Sequence, residues 1–159
     1  MADWSTRLSF LGITLPPVAA PVAAYVPAVR SGSLVYTSGQ LPFVDGALAG
    51  TGKVGDAVSP EQAKELARAC ALNALAAVHA LVGIDSVVRV VKVVGFVASA
   101  EGFTGQPGVV NGASELLGEV FEEAGQHARS AVGVAELPMN APVEVELVVE
   151  VLAPAAVLV

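Results

Sequence analysis

Histidine and cysteine are scarce, with two and one in 159 residues. His79, His127 and Cys70 fall at no ligand spacing, so no metal site is expected. A lone Cys70 excludes an internal disulfide and fits a reducing compartment such as the cytoplasm. Basic residues are also few: eight Lys and Arg against fifteen Asp and Glu give a net charge of −7. The eight are scattered, whereas nucleic-acid binding draws on a basic stripe that displaces counterions, so RNA and DNA are not expected partners. Long apolar runs are missing too. The longest, Val87 to Ala100, is broken by Arg89 and Lys92 and falls short of a membrane span. The tract from Leu15 to Val29 has the apolar look of a signal segment. It carries Pro16, Pro17, Pro21 and Pro27, which points to an extended arm instead.

What the chain does have is apolar surface. The apolar fraction is 54% and the charged fraction 14%, more than a monomer of this size hides easily, and burial between subunits is the simplest remedy. One domain is expected at this length, spanning 21–152, with 1–20 an N-terminal arm and 153–159 a tail. The arm should hold a short helix or turn over Trp4 to Leu11. The runs Val22 to Val29 and Ser33 to Gln40 predict a hairpin turning at Arg30 to Ser33. A further turn at Val44 to Leu48 leads into a loop. Gly50, Gly52 and Gly55 spell G-x-G-x-x-G, but no strong strand precedes them and no helix opens on them, so they read as loop and not as a dinucleotide site.

Ser59, Pro60 and Gln62 sign the start of a long helix, and Gly83 its end. Leu66, Cys70, Asn73, Ala77 and Leu81 share one face of it. Asn73 should be a buried, satisfied amide, and Cys70 a core residue. Valine-rich Val87 to Ala98 predicts a buried strand. A second helix is expected from Pro107 to Ala124, with Gly112 inside it for a packing or backbone-access reason. Strands over Ser130 to Glu136 and Val143 to Leu152 follow, the last with valines on one face and Glu144, Glu146 and Glu150 on the other. The order gives an α+β fold, a mixed sheet with two helices packed on one face.

Among the polar residues Arg129 stands out, a cation opening an apolar strand beside small Ala131 and Gly133. A guanidinium offers paired donors that match a carboxylate; a surface arginine paired with a glutamate is the plainer alternative. Glu144 can serve as a general acid/base, or belong to a solvated acidic face. Tyr25 can wall a pocket or be an ordinary strand tyrosine. Asn111 can bond a ligand or cap a turn. His127, two residues before Arg129, can sit at the rim.

The segment YTSGQLP, Tyr36 to Pro42, and ARSAVGVAELP, from Ala128, followed by VEVE, resemble the YjgF/RidA family over most of the chain. The stretch from Val109 to Val134 is closest to the branch described as chorismate-mutase-like. The resemblance implies a homotrimer whose sheets form a central barrel, clefts between subunits, and neither metal nor organic cofactor. It implies hydrolysis of reactive enamine or imine acids to 2-oxo acids and ammonia, a small carboxylate metabolite as partner, and no membrane. Carried over by position, Arg129 clamps the carboxylate and Glu144 activates water. Gly39 and Ala131 contribute backbone groups, and Tyr25, Ser38 and Asn111 line the pocket. Ala131 stands where active members often have cysteine. The helix before Arg129 is one residue longer than usual, and His127 and Gly133 point to a different substrate. The alternatives are a non-catalytic trimer that binds 2-oxo acids and, less favoured, chorismate-mutase-like or RNase activity. The enzymatic reading requires the guanidinium to face a hollow between subunits with the carboxyl close by. Groups on opposite sides of the sheet would leave only the architecture.

Overall fold

A computed structural model describes residues 2–20 and 23–154. Strand β1 (Ala28–Ser31) and strand β2 (Leu34–Thr37) form the expected hairpin, turning through Gly32 at φ 61°. The hairpin is shorter than its β-rich sequence suggests, and Tyr25 lies ahead of it; Val22 lies outside the described residues. Asp45 (φ 52°) and Gly46 (φ 83°) carry a tight turn between strand β3 (Phe43–Val44) and strand β4 (Ala47–Leu48). Two successive left-handed residues are what a two-residue hairpin needs, so the expected simple turn is a small hairpin.

Helix α1 covers Trp4–Phe10 and helix α2 covers Pro60–Val82. Ser59 caps α2 by accepting from the Gln62 N–H, and Gly83 (φ 79°) ends it. Strand β5 covers Val87–Ala98, as its valines predict, and helix α3 covers Gln106–Phe121. Strand β6 (Ala128–Val134) and strand β7 (Val143–Val151) complete the fold. The main sheet runs β1-β2-β7-β5-β6, with β5 and β6 parallel and the other pairs antiparallel. A parallel pair needs a crossover, and α3 supplies it.

Helices α2 and α3 pack on one face of this sheet, against β7 and against β5 and β6. In β7 the residues Val143, Val145, Leu147, Val149 and Val151 are buried beneath them, and the glutamates between face the other way. Asn73 is buried on α2, and its amide donates to the Leu41 and Phe43 carbonyls, both at 3.0 Å. Leu81, assigned to the same inner face, is exposed at the end of the helix.

Two expectations about the architecture are corrected. The described residues form three α-helices, not two: α1 closes one end of the core, with Trp4 edge-on to Phe121 at 5.3 Å and its indole N–H on the Val87 carbonyl. The sheet is open, with β1 and β6 as its edges, and does not close into a barrel. A five-stranded sheet with hydrogen-bonded neighbours on one side only at each end has nothing among the described residues to close it. Helix α2 is long and apolar enough to cross a membrane, contrary to the expectation that no run reaches a membrane span. It is the central core helix, its apolar character spent on the sheet and on α3.

Helices α2 and α3 meet at Gly112, where an added Cβ would run into the Lys64 carbonyl oxygen. A backbone atom cannot yield as a side chain can, so Gly112→Ala should destabilise the fold by about 1–3 kcal/mol, despite alanine's better helix propensity. Urea denaturation checks this; an unchanged or raised midpoint would show that the two helices can move apart freely.

Candidate functional site

Arg129 is the second residue of β6 and pairs with Val93, which is fully buried on the helical face. Residues paired across neighbouring strands point to the same side, so the guanidinium lies on the helical side, at the sheet edge. There Nη1 donates to Asn111 Oδ1 at 2.8 Å and to Ser114 Oγ at 3.2 Å, and Nη2 to the Pro107 carbonyl at 3.4 Å. All three partners belong to α3. Ala131 and Gly133 follow on the same side. A Cβ on Gly133 would sit 2.8 Å from Gln106 Nε2, so small residues let the N-terminal half of α3 lie close to β6. Arg129 makes no salt bridge among the described residues, so the plainer surface ion-pair alternative does not apply there.

His127 stands one residue ahead of the strand that carries this cluster. Its Nε2 is 2.9 Å from Ser114 Oγ and its Nδ1 is 2.6 Å from the Gly125 carbonyl. Ser114 is the residue missed from the sequence. It lies three positions after Asn111, the spacing that puts two side chains on one helix face, and that relation to a suspected ligand residue was the available signal.

Glu144 occupies the opposite side. It alternates with buried Val143 and Val145 and pairs with Phe96, which also pairs with Val132, on the face no helix covers. Gly39 lies against it: a Cβ there would be 2.7 Å from Glu144 Cδ. Tyr25, Gly39 and Phe43 share a small crevice of about 40 Å³. Ser38 uses its hydroxyl to donate to the Val26 carbonyl at 2.6 Å, pinning the segment ahead of β1. Burial first, and then the neighbouring Glu146 carboxylate, push the Glu144 carboxyl above the ordinary glutamate range. Burial, with a further contribution from Glu144, raises the Cys70 thiol far above its usual value. A thiol that stays protonated is a poor nucleophile, which leaves Cys70 as core.

The candidate residues therefore fall into two clusters: Arg129, Asn111, Ala131 and His127, joined by Ser114, and Glu144, Gly39, Tyr25 and Ser38. The clusters do not meet within one chain. Arg129 and Glu144 sit two strands apart and three register positions offset along β5. Strand spacing and rise put their Cα atoms on the order of 14 Å apart, with side chains on opposite faces. The requirement that both groups lie on one side of the sheet fails for a single copy.

The helix-free face carries Glu144, Glu146, Glu150 and Lys92 and, between them, exposed apolar side chains. Tyr36, Val88 and Val132 are each 43% exposed, and Val94, Phe96 and Val148 lie among them. An uncovered sheet face with exposed apolar side chains of this kind marks an interaction surface. A cavity of about 780 Å³ lies between residues 14–20, the β3–β4 turn and α2, and includes neither Arg129 nor Glu144.

An α+β chain with the Glu144 cluster on one sheet face and the Arg129 cluster on the other is the class that fold and geometry define. The chain belongs to the YjgF/RidA family, whose model, described as Endoribonuclease L-PSP, matches residues 17–151. It is 47% identical over 148 residues to Protein TCP17 of Trypanosoma cruzi, covering 92% of each chain. It is also 47% identical to Atu1372 from Agrobacterium tumefaciens, a crystal structure of unknown function, with a TM-score of 0.85 and 93% and 92% of the two chains covered. RidA from the Antarctic bacterium Psychrobacter sp. PAMC 21119 is 29% identical at a TM-score of 0.59, with 84% and 94% covered.

Proposed function

We propose that this protein is a reactive-intermediate deaminase that hydrolyses enamine or imine acids to 2-oxo acids and ammonia in clefts between subunits. Family membership supports a deaminase-like hydrolase at the level of the family; 2-iminopropanoate and 2-iminobutanoate are the substrates this reading adds. What carries it is family membership; Arg129 and Glu144, on opposite faces of the sheet, give it no support within one chain, and the reading requires the two groups to come from different copies. Glu144 of one copy beside Arg129 of a neighbouring copy would make a whole site, so the working unit is an oligomer, proposed as a trimer. The exposed apolar side chains on the uncovered sheet face and the low charged fraction of 14% support association.

In the mechanism Arg129 holds the substrate carboxylate and so fixes the C=N carbon in place. Glu144, with its raised affinity for a proton, takes one from water as the water oxygen bonds to the imine carbon. Glu144 passes that proton to the nitrogen to give the carbinolamine, then carries the hydroxyl proton to the amine as the C=O bond forms and the C–N bond breaks, so that ammonia leaves the 2-oxo acid behind. A carboxyl poised closer to neutrality than an ordinary glutamate is suited to both transfers.

The test is ammonia release from freshly generated 2-iminopropanoate, with the oligomeric state measured on the same sample. Acceleration well above the spontaneous rate by an oligomer is expected. A purified protein that binds 2-oxobutanoate but never accelerates imine loss would replace the deaminase with a metabolite-binding protein. A strictly monomeric protein with full activity would defeat the shared site. Nuclease activity is the poorer reading, since a net charge of −7 repels a phosphate backbone.

A further inference from the structure

We propose that Ser114 and His127 are positioning residues that lock Arg129 into the orientation in which it grips a carboxylate. The inference rests on the carboxylate-binding role given to Arg129 above and adds the device that aims it.

The hydrogen bonds run in one direction. The Gly125 carbonyl can only accept, so His127 Nδ1 carries a proton and donates across 2.6 Å. In the neutral ring Nε2 is then an acceptor, and the Ser114 hydroxyl donates to it at 2.9 Å. With its only proton committed, Ser114 Oγ turns a lone pair outward and accepts from Arg129 Nη1 at 3.2 Å. Asn111 Oδ1 takes the second Nη1 proton at 2.8 Å. Both protons of Nη1 are thus committed, while Nη2 has a single long bond to the Pro107 carbonyl.

Five N–H donors make up a guanidinium. Three are engaged, and the Nε–H and one Nη2–H have no partner among the described residues. A guanidinium's Nε–H and the Nη2–H beside it lie along one edge, at the spacing of the two oxygens of a carboxylate, and on this proposal that edge is the one left for a ligand. A free arginine can turn its head and offer any edge; this one is held with a single edge outward. The ligand class that follows is a small monocarboxylate gripped side-on. His127 has no direct contact with that edge and acts only through Ser114.

Two measurements test the device separately from the chemistry. The first needs no ligand. In nitrogen-edited proton spectra of the wild-type protein, the Arg129 Nη1 and Nη2 protons should appear as distinct, slowly exchanging signals, and Ser114→Ala should merge them by freeing rotation about the guanidinium bonds. Merged signals in the wild type, or distinct ones in Ser114→Ala, overturn the proposal even if imine turnover is intact. The second is calorimetric titration with 2-oxobutanoate. Ser114→Ala and His127→Ala should each weaken binding about five- to tenfold, the size of one ordinary hydrogen bond. Because the two act in series, the double variant should bind like Ser114→Ala alone, and neither change should matter in an Arg129→Lys background, where there is no planar fork to aim. Additive losses, or losses that persist in the Arg129→Lys background, would mark a general packing role and overturn it. If the spectra behave as expected but no 2-oxo acid binds, the orientation device stands and the function assigned to the site fails.

Discussion

Arg129→Ala should lower kcat/KM for 2-iminopropanoate by about a thousandfold, equivalent to about 4 kcal/mol of transition-state stabilisation, while the oligomer stays assembled. The size follows from what the side chain does. On the proposed mechanism a side-on pair of charge-assisted bonds would both bind the carboxylate and fix the angle at which water meets the C=N carbon, and orientation alone can be worth several kcal/mol. Arg129→Lys should recover little, because an ammonium is a point charge without a planar fork. The fold should tolerate both changes. The partners left behind, Asn111 Oδ1 and Ser114 Oγ, are on half-buried residues at an open sheet edge, where water can replace the guanidinium. Turnover of the alanine variant at the wild-type rate would remove Arg129 from the reaction; loss of the oligomer along with activity would make it an assembly residue.

Glu144→Gln should lower kcat by about 10²–10⁴-fold, the usual contribution of one positioned acid/base, with a smaller change in KM because the proposed carboxylate clamp would lie on a neighbouring copy. The same variant gives a second readout with a definite sign. Burial and Glu146 raise the Glu144 carboxyl in the folded state, so the unfolded chain ionises first as pH rises. The proton on Glu144 therefore favours the fold below the ordinary glutamate value of about 4.3. That contribution is lost as pH climbs through the raised value. Glutamine cannot ionise, so Glu144→Gln should be more resistant to urea than the wild type at neutral pH, with the gap closing toward about pH 4. The gain should be modest, since the side chain is only half buried and solvent screens it. A variant less stable at neutral pH would show that the ionised carboxylate is held by attractive contacts, and the account of its proton affinity would be wrong.

These two residues also explain why a single copy should be inert. Arg129 and Glu144 face away from each other across the sheet, so a substrate held by one cannot reach the other without a neighbouring chain. Mixing the two inactive variants, Arg129→Ala and Glu144→Gln, should restore part of the activity if subunits exchange. Each mixed assembly then has clefts in which both native groups meet.

Much of this was legible in the linear chain because it depends on local chemistry. The Ser59–Pro60–Gln62 start and Gly83 stop of α2 rest on caps that involve only near neighbours. The limits of β5 follow from β-branched valines, and the valine–glutamate alternation of β7 from the pleat itself. The pattern of β7 even fixed that Glu144 turns away from the core. Arg129 was visible as a cation in apolar surroundings, and Glu144 as one acid among three.

What the chain alone could not decide was which side of the sheet Arg129 occupies relative to Glu144. That is set by the register of β6 on β5, and β6 takes its place only after α3 has crossed over the sheet. Nor could it give the third packed helix its weight or show that the sheet stays open, because both depend on contacts between residues far apart in sequence. The Gly125–His127–Ser114–Arg129 relay is of the same kind. Its members are ordinary one by one, and only the close approach of α3 to β6, permitted by Gly133, brings their polar atoms within bonding distance. Backbone preferences choose helices and strands, but which side chains meet is decided by how those elements pack.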